Sequence, residues 1–259
     1  MEVIIRPNKE SATTLAANLI ADLVKRKPTL VLGLATGRTM EELYDKVAAM
    51  KLDFTFCSSF NLDEYIGIET IDKNSYRYYM NKHLFDKVNI NKKNTHLPDG
   101  MAKNTIIACH EYENQINDSG GIDVQLLGIG RSGHIGFNEP LSALSSRTRE
   151  KALTPTTVAQ NSPLFDNPED MPKRALTMGV GTILEAKRII MLVTGTEKAE
   201  ILAKAVEGPI TSMISATALQ LHPACTIIVD EEAAGKLQER EYYRWIFENE
   251  PEWEPYRVV

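Results

Sequence analysis

The 259-residue sequence predicts an α/β fold in which helices cover a mostly parallel sheet. Two observations predict it, and a third sets the domain count. Short β-branched runs alternate with longer segments of helical period. The runs are apolar at nearly every position, as strands buried on both faces must be. No internal repeat, low-complexity segment or Pro/Gly-rich linker divides the chain, so one domain spanning residues 1–259 is expected.

Each element follows in order. EVIIR (Glu2–Arg6) reads as the first strand. The helix after it runs from Ser11 to Arg26, with Leu15, Leu19, Ala21, Leu23 and Val24 on its apolar face and Ser11 as its cap. TLVLGLATG (Thr29–Gly37) is a near-continuous apolar strand ending in a turn, and Met40–Met50 is a helix. FTFCSSFNLDEY (Phe54–Tyr65) is a strand running into a polar end. Asn74–Phe85 and Lys103–Ile116 are further helices. Ile122–Gly130, Arg188–Gly195 and Ala224–Asp230 are three more strands. A helix over Lys198–Gly208 follows the second of these, and one over Ala233–Asn249 closes the pattern. Arg147–Thr177 lacks a strand–helix rhythm and reads as a lid or excursion over the site.

Composition narrows the function. The net charge of −6 is spread along the chain, which leaves no nucleic-acid footprint. Cys57, Cys109 and Cys225 are far apart and form no C-x-x-C pair, so neither a disulfide framework nor a zinc site is indicated. No stretch approaches the roughly 20 apolar residues that span a bilayer. The amino terminus lacks signal-peptide architecture, and a cytoplasmic location is expected.

Four predicted strand ends gather polar residues. GLATGRT (Gly33–Thr39) turns from strand to helix at Thr36, Gly37, Arg38 and Thr39, a natural cradle for phosphate on backbone N–H groups and hydroxyls. NLDEYIG (Asn61–Gly67) places Asp63 and Glu64 after a buried strand. Adjacent residues point apart, so one of the two faces a ligand; spacing does not say which. GIGRSGHIGFNEP (Gly128–Pro140) puts glycines around His134, a proton carrier near neutral pH, with Glu139 within reach of the same turn. His134 and Glu139 lack the H-E-x-x-H spacing of a metal site. VTGTEKA (Val193–Ala199) sets Lys198 in the first turn of a helix, where a cation opposes the macrodipole unless it meets an anion. Together the four point to a phosphorylated substrate undergoing proton transfers.

These motifs, in this order, resemble the glucosamine-6-phosphate deaminase family, and the resemblance covers nearly the whole chain. GHIGFNEP beside LDEY carries most of it, supported by LGLATGRT, SSRTREK, VTGTEKA and LQLHP. The resemblance implies a doubly wound, Rossmann-like α/β fold and conversion of glucosamine 6-phosphate to fructose 6-phosphate and ammonia without a cofactor. It implies Asp63 as the enolisation base between C2 and C1, His134 as the group that opens the pyranose ring, and Glu139 as its acidic partner. It assigns Thr36 to Thr39 and Lys198 to the substrate phosphate. Galactosamine 6-phosphate as substrate, a lactonase-like hydrolase and a non-catalytic sugar-phosphate sensor are the alternatives.

The chain also departs from the family pattern. Ser132 stands where many members carry Asp, which predicts slower ring opening rather than its loss, because serine bonds an imidazole without stabilising its charge. Pro163 occupies the place of a phosphate-clamping arginine, and Arg38 stands where Gly or Ser is usual, so Arg38 is expected to supply the missing guanidinium. Ser142, Arg149 and Lys151 match the site at which allosteric relatives bind N-acetylglucosamine 6-phosphate between subunits, whereas Ala152 replaces a threonine. That match implies a homo-oligomer, with the hexamer favoured.

Overall fold

Strands separated by helices run parallel because each crossover returns the chain to the same end of the sheet. In the computed structural model, which describes residues 1–257, the strands are β1 (Glu2–Arg6), β2 (Val31–Leu34), β3 (Ser58–Asn61), β4 (Asp63–Tyr65), β5 (Thr95–His96), β6 (Val124–Leu127), β7 (Arg149–Ala152), β8 (Arg174–Thr177), β9 (Arg188–Val193) and β10 (Cys225–Asp230). The helices are α1 (Lys9–Arg26), α2 (Arg38–Ala49), α3 (Tyr76–Met80), α4 (Thr105–Asp118), α5 (Pro155–Asn161), α6 (Val180–Leu184), α7 (Ala199–Val206) and α8 (Arg240–Asn249). Seven strands form one sheet in the order β1, β10, β9, β6, β2, β3, β5, and every pairing in it is parallel. Strands β2, β6 and β10 bury every residue, which requires cover on both faces, as doubly wound sheets have.

The strand order fixes where a ligand belongs. After β2 the chain builds outward through β3 to β5; it then returns through α4 to β6 and builds the other way to β9 and β10. The switch therefore lies between β2 and β6, and open α/β sheets place their crevice outside the strand carboxyl ends at such a point.

Several boundaries differ from the sequence reading for identifiable reasons. Helix α1 starts two residues early because Asn8, not Ser11, is the cap: its side chain accepts the Ser11 N–H. The stretch Phe54–Tyr65 is two strands in different sheets. Its chain leaves the main sheet at Leu62, whose carbonyl accepts the Met178 N–H at 2.6 Å. Helix α8 begins only at Arg240, after a 3₁₀ turn at Ala233–Lys236.

The segment expected to be irregular is the largest revision. Within 147–177, β7 and β8 join β4 in an antiparallel three-stranded sheet, and α5 lies between them. A satellite core of Tyr65, Ile68, Phe137, Leu153, Phe165, Met171 and Ala175 sits under this sheet, separate from the main core.

Candidate active site

All four polar motifs leave the carboxyl ends of four neighbouring strands, β9, β6, β2 and β3, so the topology brings them to one crevice. The β2 turn delivers Thr36–Thr39 to the start of α2. Gly37 is the N-cap at φ 116°, a conformation open to glycine, and no side chain caps the helix. The first N–H groups of this 12-residue helix therefore face the crevice mouth unclaimed by a cap. Tyr79 holds the turn in place, donating its hydroxyl to Gly37 O at 2.8 Å. Arg38 opens the helix and is exposed, while Pro163 is exposed in a 3₁₀ turn and offers neither charge nor N–H. Lys198 stands one residue before α7 rather than within it. It is half-buried and donates to Ile129 O at 2.9 Å. Burial lowers the Lys198 pKa, the Arg131 charge lowers it further, and Glu197 opposes both.

The choice between Asp63 and Glu64 is decided by hydrogen bonding. Glu64 turns away from the crevice and accepts the backbone N–H groups of Tyr65, Tyr76 and Arg77, each at 2.9 Å, which anchors the start of α3. Asp63 is buried and accepts no hydrogen bond from the described residues. Burial, with the Glu64 charge adding to it, pushes the Asp63 pKa up to about 8. Asp63 pairs with Thr177 across β4 and β8, and the Thr177 hydroxyl accepts the Phe137 N–H at 3.0 Å. A Cβ on Gly136 would lie 3.5 Å from Asp63 Oδ2. The Gly136 turn thus forms the wall beside the carboxyl and brings the histidine loop against it.

His134 is held by its Nδ1 edge. Ser132 Oγ lies 2.9 Å and Glu139 Oε2 3.1 Å from that nitrogen. The other oxygen of Glu139 accepts hydrogen bonds from the Thr154 N–H, the Thr154 hydroxyl and the Thr157 hydroxyl. Burial raises the Glu139 pKa, but the bonds from His134 and Thr157, the His134 charge and the Thr154 N–H overcome it and hold the carboxylate at about 2. An ionised Glu139 accepts, so the Nδ1 proton of His134 points to it and Nε2 is left with a free lone pair. Gly130 leaves room for this ring, since a Cβ there would lie 2.0 Å from Nε2. Ser132 thus touches the imidazole where an acid was expected to be missed, and Glu139 supplies the charge.

Of the three residues matched to an activator site, Ser142 and Arg149 meet directly: Arg149 donates to Ser142 Oγ at 3.0 Å and to Asn138 Oδ1 at 2.9 Å. Lys151 lies two residues along β7, on the same face as Arg149. Sequence reasoning missed Tyr79, Thr154, Thr157 and Thr177. The Thr154–Pro155 pair was a legible helix start, a hydroxyl cap followed by proline at the first helical position. The other three carry no local signal.

Comparison with known proteins agrees with this geometry. Residues 8–232 match the family described as glucosamine-6-phosphate isomerases/6-phosphogluconolactonase. A glucosamine-6-phosphate deaminase of Shewanella loihica is 49% identical over 250 residues, covering 95% of this chain and 93% of that protein. One from an Arthrobacter species is 45% identical over 258 residues, covering 98% and 99%. A solved structure described as a monomeric glucosamine-6-phosphate deaminase superposes with a TM-score of 0.89 at 41% identity, covering 91% of this chain and all of that one (100%). The 6-phosphogluconolactonase of Trypanosoma brucei shares the fold, with a TM-score of 0.72 at 17% identity over 92% and 98% of the two chains.

Proposed function

This chain belongs to the glucosamine-6-phosphate isomerase/6-phosphogluconolactonase family and is an isomerising deaminase of glucosamine 6-phosphate, and we propose that Asp63, His134 and Glu139 carry its chemistry. The substrate phosphate sits on the Thr36–Thr39 turn and Lys198, with Arg38 at its rim. His134 Nε2 takes the O1 proton and passes it to O5 as the C1–O5 bond breaks, and Glu139 with Ser132 stabilises the transient imidazolium. The ionised Asp63 then removes the C2 proton of the open aldehyde, O1 takes up a proton from the C2 ammonium to give the enolamine, and Asp63 returns its proton to C1. The resulting C2 iminium takes up water and loses ammonia, leaving fructose 6-phosphate.

The environment of Asp63 is the observation that carries this reading. A buried carboxyl with a pKa of about 8 and no hydrogen bond from the described residues is a strong base waiting for a cation. The ammonium at C2 of the substrate supplies that cation and ionises Asp63 as it binds. Lactone hydrolysis removes no C2 proton and needs no enolisation base. Equimolar ammonium and fructose 6-phosphate from glucosamine 6-phosphate, at a rate lowered roughly 10³-fold in Asp63→Asn, is the expected result. Turnover near the wild-type rate after that substitution would overturn the assignment. Galactosamine 6-phosphate in the same assay separates the epimers.

Segment 147–177 is assigned as a lid, because Thr154 and Thr157 at its helix hold Glu139 and so join lid position to the histidine. Ser142, Arg149 and Lys151 are assigned to an N-acetylglucosamine 6-phosphate activator site. Exposed Leu141, Ile210 and Met213 beside Ser142 support a homo-oligomer of this chain, with the hexamer favoured. Light scattering with and without that ligand tests the assembly; a monomer would leave the deaminase assignment intact. Among the described residues no helix is long and apolar enough to cross a membrane, which is consistent with the cytoplasmic location we assign.

A further inference from the structure

Resting on the assigned phosphate site, we propose that Arg131 is a further substrate-binding residue, which completes a set of three cations around the phosphate. Gly130 and Gly133 close a tight turn, the Gly133 N–H donating to Gly130 O at 3.0 Å, so Arg131 and Ser132 are its two corner residues. Ser132 reaches His134 from one corner. Arg131 occupies the other and is exposed, with no carboxylate partner among the described residues.

The surroundings of the turn place Arg131 beside the phosphate. Its strand, β6, lies between β2 and β9, the strands that carry Arg38 and Lys198. A Cβ on Gly128 would lie 3.8 Å from Met40 Cε in the first turn of α2, and Lys198 Nζ meets Ile129 O at 2.9 Å. Residues 128–131 are therefore wedged between the phosphate turn and the lysine. The Arg131 charge is felt at Lys198, where it adds to the effect of burial. Among the described residues neither Arg38, Arg131 nor Lys198 forms an ion pair with Asp or Glu, whereas other cations such as Lys9, Lys87, Arg174 and Arg240 do. Three unpaired cations on three adjacent strand ends repel one another, and a dianionic phosphate between them relieves that repulsion. A guanidinium at a turn corner also suits the planar, bidentate grip that phosphate favours.

The test compares the intact chain with Arg131→Gln and Arg131→Lys. Titration with inorganic phosphate, followed by calorimetry, needs no turnover and reads the site even if the deaminase assignment fails. Arg131→Gln is expected to weaken phosphate binding about tenfold, with Arg131→Lys intermediate. In the glucosamine 6-phosphate assay the loss should fall on KM rather than kcat. It should persist at high salt, because a contact is screened less than long-range attraction. Unchanged phosphate affinity in Arg131→Gln, or a KM effect that vanishes at high salt, would overturn the proposal.

Discussion

Asp63 and Glu139 are two buried carboxyl groups brought to one crevice from the ends of β3 and β6, and their surroundings drive them in opposite directions. Asp63 accepts no hydrogen bond from the described residues and has Glu64 next in the chain, so burial prevails and its pKa rises to about 8. Glu139 is as deeply buried, yet two threonines, a backbone N–H and His134 hold it at about 2. Desolvation alone therefore does not set the charge of a buried carboxyl; the supply of donors does. The proposed chemistry needs both outcomes, a base that is strong because it is poorly solvated and an anion that stays ionised beside an imidazole.

The largest expected effect comes from erasing the Asp63 side of this contrast. Asp63→Asn should lower kcat by roughly 10³, within the range typical of a lost general base, while substrate still binds in calorimetry. Glu139→Gln comes next, with kcat falling about 10²-fold, because Nδ1 of His134 then loses its anionic partner. The third expectation concerns pH. In the proposed mechanism Asp63 acts ionised, so kcat/KM should climb as pH rises toward about 8 and flatten above it.

Stability should separate the two acids as well. The folded pKa of Asp63 lies above its ordinary value of 3.8, so the folded state binds the extra proton between the two, and stability falls as pH rises through that window. Asp63→Asn should remove this fall in denaturant melts run from pH 4 to pH 8. Glu139 has the opposite sign: its contribution is present above its ordinary 4.5 and is lost as pH drops toward about 2. The smallest effects belong to the positioning groups. Thr157→Val should raise the folded pKa of Glu139, so that the acid loss is smaller and complete at a higher pH, and should cost kcat several-fold through the looser hold on Glu139. Ser132→Asp should speed ring opening by a similarly small factor, since Glu139 already supplies the charge.

Much of this site was legible from the chain because its parts lie in short contiguous motifs. Three of the strands feeding them, β2, β6 and β9, are largely apolar on both faces, so the parallel sheet and its polar ends could be read directly, whereas β3 reads SSFN. The antiparallel strands β7 and β8 could not. Their residues, REKA and RALT, are half-exposed or mixed in polarity; β7 pairs only with β8, and β8 in turn with β4, a three-residue strand remote in sequence. Glu64 shows the same limit on a smaller scale. Its bonds go to N–H groups 12 and 13 residues away, and only the fold reveals that it caps α3 and leaves Asp63 alone in the crevice. Thr157 reaches Glu139 across 18 residues for the same reason.

The most direct measurement is an infrared titration of the carboxyl groups, wild type minus Asp63→Asn, in the substrate-free protein. A protonated carboxyl band, absent from the variant, is expected to disappear with a midpoint near pH 8. A midpoint close to the ordinary aspartate value, about 4, would contradict that expectation: Asp63 would then be a solvated anion, and the contrast with Glu139 would not exist.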